Sequence, residues 1–288
     1  MPKIIVGTAN FVNNYGLNNF KYKSEELKKI LFFLKKKKIN FFDVSFSYGF
    51  NKSFLKKINF KKTKIILKIK LPSSKVPFFL NRLEKKIIDY LDYFKVKKYE
   101  VIMLHNSNDL TTFYSEKLVK ILNSLKKKKI TKKIGVSIYD PRELNLIFKK
   151  LKPQILQAPL NIFDQRILNN NYLNKIKKEK IQIQARSIFL QGIIFKSNRY
   201  IKNKFKNKKI NKIFKNFEET CKFQNITKLE YAIDFIKKQK KIDFVTLGFD
   251  SVDQLKKILF FFEKKSYVKQ KKFTTTNSEF IDPRKWKI

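Results

Sequence analysis

The chain has 288 residues, 43% of them apolar, with a single cysteine, a single histidine and a formal net charge of +44. That length suits one (β/α)8 barrel, typically about 250 residues, and no apolar run approaches the roughly 18 residues a membrane span requires. Cys221 alone excludes an intrachain disulfide and a cysteine-based metal cluster, and from an N-terminus without a secretory layout a cytoplasmic protein is expected.

Short apolar runs alternate with longer amphipathic stretches from end to end. In chain order, the strand Lys3–Thr8 precedes a helix over Ser24–Lys38, and Asn40–Val44 precedes one over Lys52–Ile58. Lys64–Lys70 leads to Val76–Phe94, Glu100–His105 to Ser115–Lys128, and Lys133–Ser137 to Pro141–Leu151. Gln154–Gln157 is followed by Arg166–Lys178, Gln182–Arg186 by Lys228–Lys238, and Phe244–Leu247 by Val252–Lys264. Eight strand–helix units predict an α/β fold, a closed parallel (β/α)8 TIM barrel, as one domain over residues 1–288. A doubly wound sheet fits less well, because no G-x-G-x-x-G follows the first strand. The stretch Ser187–Asn225, dense in lysine and asparagine, reads as an extended loop after strand seven. It is either a flap over the C-terminal mouth or a solvated loop with a short helix. In the polar C-terminal tail, Trp286 either docks on the barrel or is exposed.

Such a charge ordinarily points to nucleic acid or an anionic membrane. Here only six of the 67 basic residues are arginine, and lysine is spread along the chain beside abundant isoleucine, phenylalanine and asparagine. That bias is the mark of AT-rich genome composition. Neither a specific nucleic-acid partner nor a membrane is expected.

Three strand ends carry residues fit for chemistry. Asp43 closes the second strand, with Tyr48 five residues on in Phe42-Asp-Val-Ser-Phe-Ser-Tyr-Gly49. At a barrel's C-terminal face such a carboxylate is a catalytic candidate, and it is equally suited to capping the next helix. Lys68 and Lys70 share one face of the third strand. Lys70 is favoured, because Pro72 ends the strand there and Lys68 would lie deeper. His105 closes the fourth strand, and no second histidine exists to make it a metal ligand.

The order of these motifs resembles the aldo/keto reductase superfamily over nearly the whole chain. Asp43-Val-Ser-Phe-Ser-Tyr48-Gly49 is similar to its Asp-Thr-Ala-x-x-Tyr-Gly signature, and Gly7-Thr8 to its opening turn. Gly135-Val-Ser137 is similar to the end of its fifth strand. Gln157-Ala-Pro-Leu-Asn161-Ile-Phe-Asp164-Gln-Arg166 and Arg186-Ser-Ile-Phe-Leu-Gln-Gly192 resemble a branch often found near polysaccharide and nucleotide-sugar genes. The resemblance implies an NAD(P)H-dependent oxidoreductase that reduces a small-molecule carbonyl substrate, a sugar-type aldehyde or ketone in that branch. It implies Tyr48 as general acid, Lys70 as the cation beside it, Asp43 as the support of that lysine and His105 as the group orienting the carbonyl. It also implies nicotinamide contacts from Asp43, Ser137, Gln157 and Arg186, with Gly7 and Thr8 nearby. The pyrophosphate would lie on Ser187, Phe189, Gln191 and Gly192, and the adenosine ribose by Gly248 and Ser251. NADP is the expected cofactor; NAD stays open, because Phe249 and Asp250 stand where relatives carry a basic residue. No metal is implied. The alternative is a catalytically inactive barrel serving as a regulatory or binding module.

Overall fold

Strands whose residues are apolar on both faces cannot lie at a surface, and these strands are almost wholly buried. The computed structural model describes residues 1–12, 17, 22–50, 60–265 and 267–286. Among them, parallel strands close into a barrel in sequence order: β1 (Lys3–Gly7), β2 (Phe41–Ser45), β3 (Lys64–Ile69), β4 (Tyr99–Leu104), β5 (Thr131–Ser137), β6 (Ile155–Pro159), β7 (Gln182–Arg186) and β8 (Phe244–Leu247). β8 returns to β1, with Lys3 opposite Phe244 and Val6 opposite Leu247. The expected (β/α)8 barrel is therefore present. The helix expected over Lys52–Ile58 lies outside the described residues.

The helices around the barrel are α1 (Ser24–Lys36), α2 (Val76–Phe94), α3 (Ser115–Lys127), α4 (Leu144–Lys150), α5 (Asn170–Lys178), α6 (Asn198–Lys204), α7 (Lys208–Phe223), α8 (Lys228–Lys237) and α9 (Val252–Glu263). Their apolar residues recur every three or four positions. In α2, Leu80, Leu83, Ile87, Leu91 and Phe94 form one buried stripe against the barrel. No helix among the described residues is long and apolar enough to cross a membrane.

Inside the barrel, Ile5, Ile66, Val101, Met103 and Ile155 form a separate apolar floor, with Phe41 and Phe244 packed against it. Strand residues alternate between the two faces, so the next inward positions toward the C-terminal mouth are Asp43, Lys68, Gln157, Gln184 and Thr246. Four of the five, Thr246 excepted, are nearly fully buried. The floor turns polar one layer up, and the candidate site is built on that layer.

The segment after β7 departs from expectation. Ser187–Asn225 is not an extended loop: a short 3-10 stretch, Leu190–Phe195, leads into α6 and the sixteen-residue α7. In α7, Ile210, Phe214, Phe217 and Cys221 are buried. Each large apolar side chain so buried contributes about 1.5–3 kcal/mol, enough to order a helix whose outer face is lysine and asparagine. Asn207 caps it, accepting from the Lys209 and Ile210 amides at 3.1 Å each. The C-terminal tail also docks. Trp286 packs on Phe205, with its indole N–H donating to the Phe280 carbonyl at 3.2 Å.

Candidate active site

Register places the central pair. β2 and β3 lie side by side with Ser45 opposite Lys68, so Asp43 and Lys68 face the same interior one step apart. Lys68 Nζ sits 2.9 Å from Asp43 Oδ1 and donates to the Tyr48 hydroxyl at 2.8 Å. Tyr48 reaches this point because the chain leaves β2 through a single 3-10 turn, Phe46–Tyr48. Ser45 caps that turn and Gly49 closes it with φ of 75°. Asp43 Oδ2 accepts from Gln157 Nε2 at 2.6 Å and from Gln184 Nε2 at 3.3 Å. Its charge is therefore held by one cation and two amides. Burial works against the charge on Lys68, but Asp43 and Tyr48 more than offset it, and the ammonium is held above its usual pKa.

The lysine position differs from expectation. β3 ends at Ile69, and Lys70 lies just beyond it with its side chain exposed. Pro72 does not carry the strand as far as the sequence suggested, because the Leu71 amide turns away to Asp109 Oδ2 at 3.0 Å. The deeper lysine meets Asp43 because Asp43 itself lies deep, one layer above the apolar floor.

His105 follows β4 and completes the cluster, its ring edge-on to Tyr48 at 5.9 Å between centroids. Nδ1 lies 3.2 Å from Ser45 Oγ and 3.3 Å from Ser47 Oγ. Ser45 donates to the Lys68 carbonyl, and its hydroxyl lies 2.8 Å from that of Ser47, so both hydroxyls stand within reach of Nδ1 and of each other. Burial, then the charges of Lys68, Arg186 and Lys70, push the His105 pKa down to about 3. The ring is a neutral hydrogen-bond donor throughout the physiological range.

A cavity of about 450 Å³ opens over this cluster. It is lined by Asp43, Tyr48, Lys68 and His105 and extends along Gly7, Thr8, Gln157, Arg186, Ser187, Phe189, Gln191, Gly192 and Gly248. Those nine were expected around a dinucleotide. Two expected contacts lie outside the lining. Ser137 is buried at the end of β5, and the Ser251 hydroxyl caps α9 by accepting from the Gln254 amide at 3.1 Å. Among the described residues, no group of three histidine, cysteine, aspartate or glutamate side chains could hold a metal.

The fold and this geometry can be set beside known proteins. The model of the aldo/keto reductase family matches residues 3–275. The chain belongs to the aldo/keto reductase family. As a family member it is an oxidoreductase, built on the barrel expected of one. Comparison with curated protein sequences returns no match. Among solved structures, it is similar to a holo-form aldo-keto reductase of Bacillus halodurans, with 16% identity over 91% of this chain and 87% of that one and a TM-score of 0.68. It is likewise similar to the glycerol dehydrogenase of Gluconobacter oxydans, with 17% identity over 92% and 87% of the two chains and a TM-score of 0.66.

In this aldo/keto reductase several residues that line the cavity or bond to Asp43 escaped sequence reading. Gln184 donates to both Asp43 and Thr246, the latter at 2.7 Å. The polar alternation Gln182, Gln184, Arg186 along β7 was the available signal, since an apolar barrel interior would not tolerate it. Asn10, Leu17, Tyr139 and Phe195 also line the cavity. Nothing local distinguishes them, because only the closure of the barrel brings the β1, β5 and β7 loops together.

Proposed function

We propose that this chain reduces a carbonyl compound at the expense of a reduced nicotinamide dinucleotide, with Tyr48 as general acid. The observation that carries this reading is a phenol held at 2.8 Å by a buried lysine that is itself ion-paired at 2.9 Å. Bound in the cavity, the nicotinamide supplies the hydride; the chain supplies geometry and electrostatics.

Two features of the cavity fit such a group. Among the described residues Gln157 Oε1 is buried with no hydrogen-bond partner, an acceptor suited to a carboxamide N–H. Gly192, with φ of +94°, and Gly248 each have open space where a Cβ would project, so glycine leaves the cavity clear at both positions.

In the reaction, Tyr48 gives its proton to the substrate oxygen as negative charge develops there. Lys68 donates to the phenol oxygen and stabilises the tyrosinate left behind, while Asp43 and the two glutamine amides keep Lys68 in place. His105 donates from Nε2 to the carbonyl oxygen and orients it; being neutral, it does not compete as an acid. A sugar-type aldehyde or ketone is the substrate class suggested by the branch resemblance of the Gln157–Arg166 and Arg186–Gly192 segments. Titration of the folded protein with reduced nicotinamide dinucleotides tests the premise. Saturable binding is expected, and its absence would leave an inactive barrel as the better account.

A further inference from the structure

Only six of the 67 basic residues are arginine, and four of those six meet at one place on the cavity rim. Lysine would supply the same charge; arginine adds a planar fork that stacks on a ring and donates in fixed directions at once. All four hold Tyr139 or its neighbour Asp140. Arg186, which ends β7, places its guanidinium carbon 4.3 Å from the centre of the Tyr139 ring, and Arg284 of the C-terminal tail lies 3.4 Å from it. Arg166 Nη2 donates to the Tyr139 carbonyl at 2.9 Å, and the Tyr139 amide donates to Glu143 Oε1 at 3.1 Å. Arg142 and Arg166 both pair with Asp140, at 2.9 and 2.8 Å. The clamps are held in turn. Asp282 lies 2.6 Å from Arg284 and Asp164 2.8 Å from Arg166, while Arg186 donates to the Ile138 carbonyl at 2.9 Å.

The segments after β5 and β6, the end of β7 and the tail thus converge on one half-buried side chain that lines the cavity. The π surface of Tyr139 is taken up by two cations, so the ring has little face left for a ligand to stack on. What remains is its hydroxyl, which has no protein partner among the described residues. The charge of Arg186 is felt at His105, which puts the clamped ring beside the cluster of Asp43, Tyr48, Lys68 and His105. We infer that Tyr139 is a specificity-determining residue: its hydroxyl binds an oxygen group of the substrate beyond the reacting carbonyl, and Arg186 and Arg284 are positioning residues that hold it there. The inference rests on the reading that a carbonyl compound is reduced in this cavity. A donor fixed in advance loses little rotamer freedom on binding, and a site built to hydrogen-bond a substrate hydroxyl disfavours the analogue lacking it.

The test is steady-state kinetics with the reduced dinucleotide and a series of hydroxyaldehydes, each set against the aldehyde lacking that hydroxyl (lactaldehyde against propanal). Wild type should favour the hydroxylated member in kcat/KM. Tyr139→Phe deletes only the phenol oxygen and should lower that preference about three- to tenfold, the worth of one hydrogen bond. Arg284→Lys keeps the charge and loses the planar stack; its side chain is 48% exposed, so the fold should survive. It should lower the same preference, chiefly through KM. Arg142→Lys is the control, because the Arg142 side chain bonds to Asp140 and not to Tyr139; it should keep the wild-type preference. A preference unchanged in Tyr139→Phe overturns the inference and leaves the reductase reading standing. Equal falls in Arg142→Lys and Arg284→Lys overturn the positioning role of Arg284. Turnover of no aldehyde, by folded protein that binds no dinucleotide, overturns the reading beneath.

Discussion

Replacing Lys68 by methionine separates the two lysines that the sequence left side by side. The Lys68 and Asp43 side chains are 6% and 2% exposed and 2.9 Å apart. Removing the cation leaves Asp43 buried with only the Gln157 and Gln184 amides. Breaking a buried pair from one side costs about 3–5 kcal/mol. At roughly 2–4 °C per kcal/mol in a domain of this size, the melting temperature should fall by on the order of 10 °C. Lys70→Met, at an exposed position, should stay within about 0.5 kcal/mol of wild type. The double variant Asp43→Leu, Lys68→Met replaces the pair with apolar groups and should recover most of the loss. It should not recover turnover, because a positioned proton donor contributes about 10²–10⁴-fold and Tyr48 would have lost its cation. Thermal unfolding followed by circular dichroism reads all three variants. The reasoning is refuted if Lys70→Met costs as much as Lys68→Met, or if Lys68→Met melts with wild type.

His105 supplies a pH signature. It stays neutral in the folded chain down to about 3, whereas the unfolded chain protonates it near 6.5. Between those values the unfolded state binds the extra proton, so the contribution of this residue is complete above pH 6.5 and declines as pH falls toward 3. His105→Gln should flatten the stability profile in that window relative to wild type; parallel denaturant profiles would contradict the account. Cys221, buried near Lys228 and Tyr231 of α8, has its thiol pushed up to about 12 by burial. It should resist maleimide in the native protein and react on unfolding, and rapid native labelling would refute its placement. Gly248→Val adds a side chain where nothing lies within 4 Å. Nucleotide affinity should drop with the melting temperature unchanged, and a loss of stability instead would show that Gly248 serves packing.

Barrel and site were legible to different depths. Short apolar runs alternating with longer amphipathic stretches revealed the (β/α)8 order, and β7 and β8 have the expected ends. Asp43, Tyr48 and His105 were visible because each lies between the midpoint of a strand and the few residues after it. Lys68 was missed in favour of Lys70 because both lie on one strand face, and only the depth of Asp43 in the barrel decides between them. The helices α6 and α7 were read as loop because lysine and asparagine outnumber the few phenylalanines and isoleucines that anchor them. Glu26 carries no local sign that it accepts from a distant amide. Its partner, the Val252 amide, is brought to it by α1 lying against α9 across the seam where β8 meets β1.

The central claim is that Tyr48 delivers the proton, and the most direct measurement compares wild type with Tyr48→Phe in two steps on the same preparations. Binding of the reduced dinucleotide is measured first, and its oxidation by a panel of aldehydes and ketones second. The account predicts unchanged binding and a fall in turnover of about 10² or more. A phenylalanine variant that binds the nucleotide and still reduces carbonyls at the wild-type rate would contradict it.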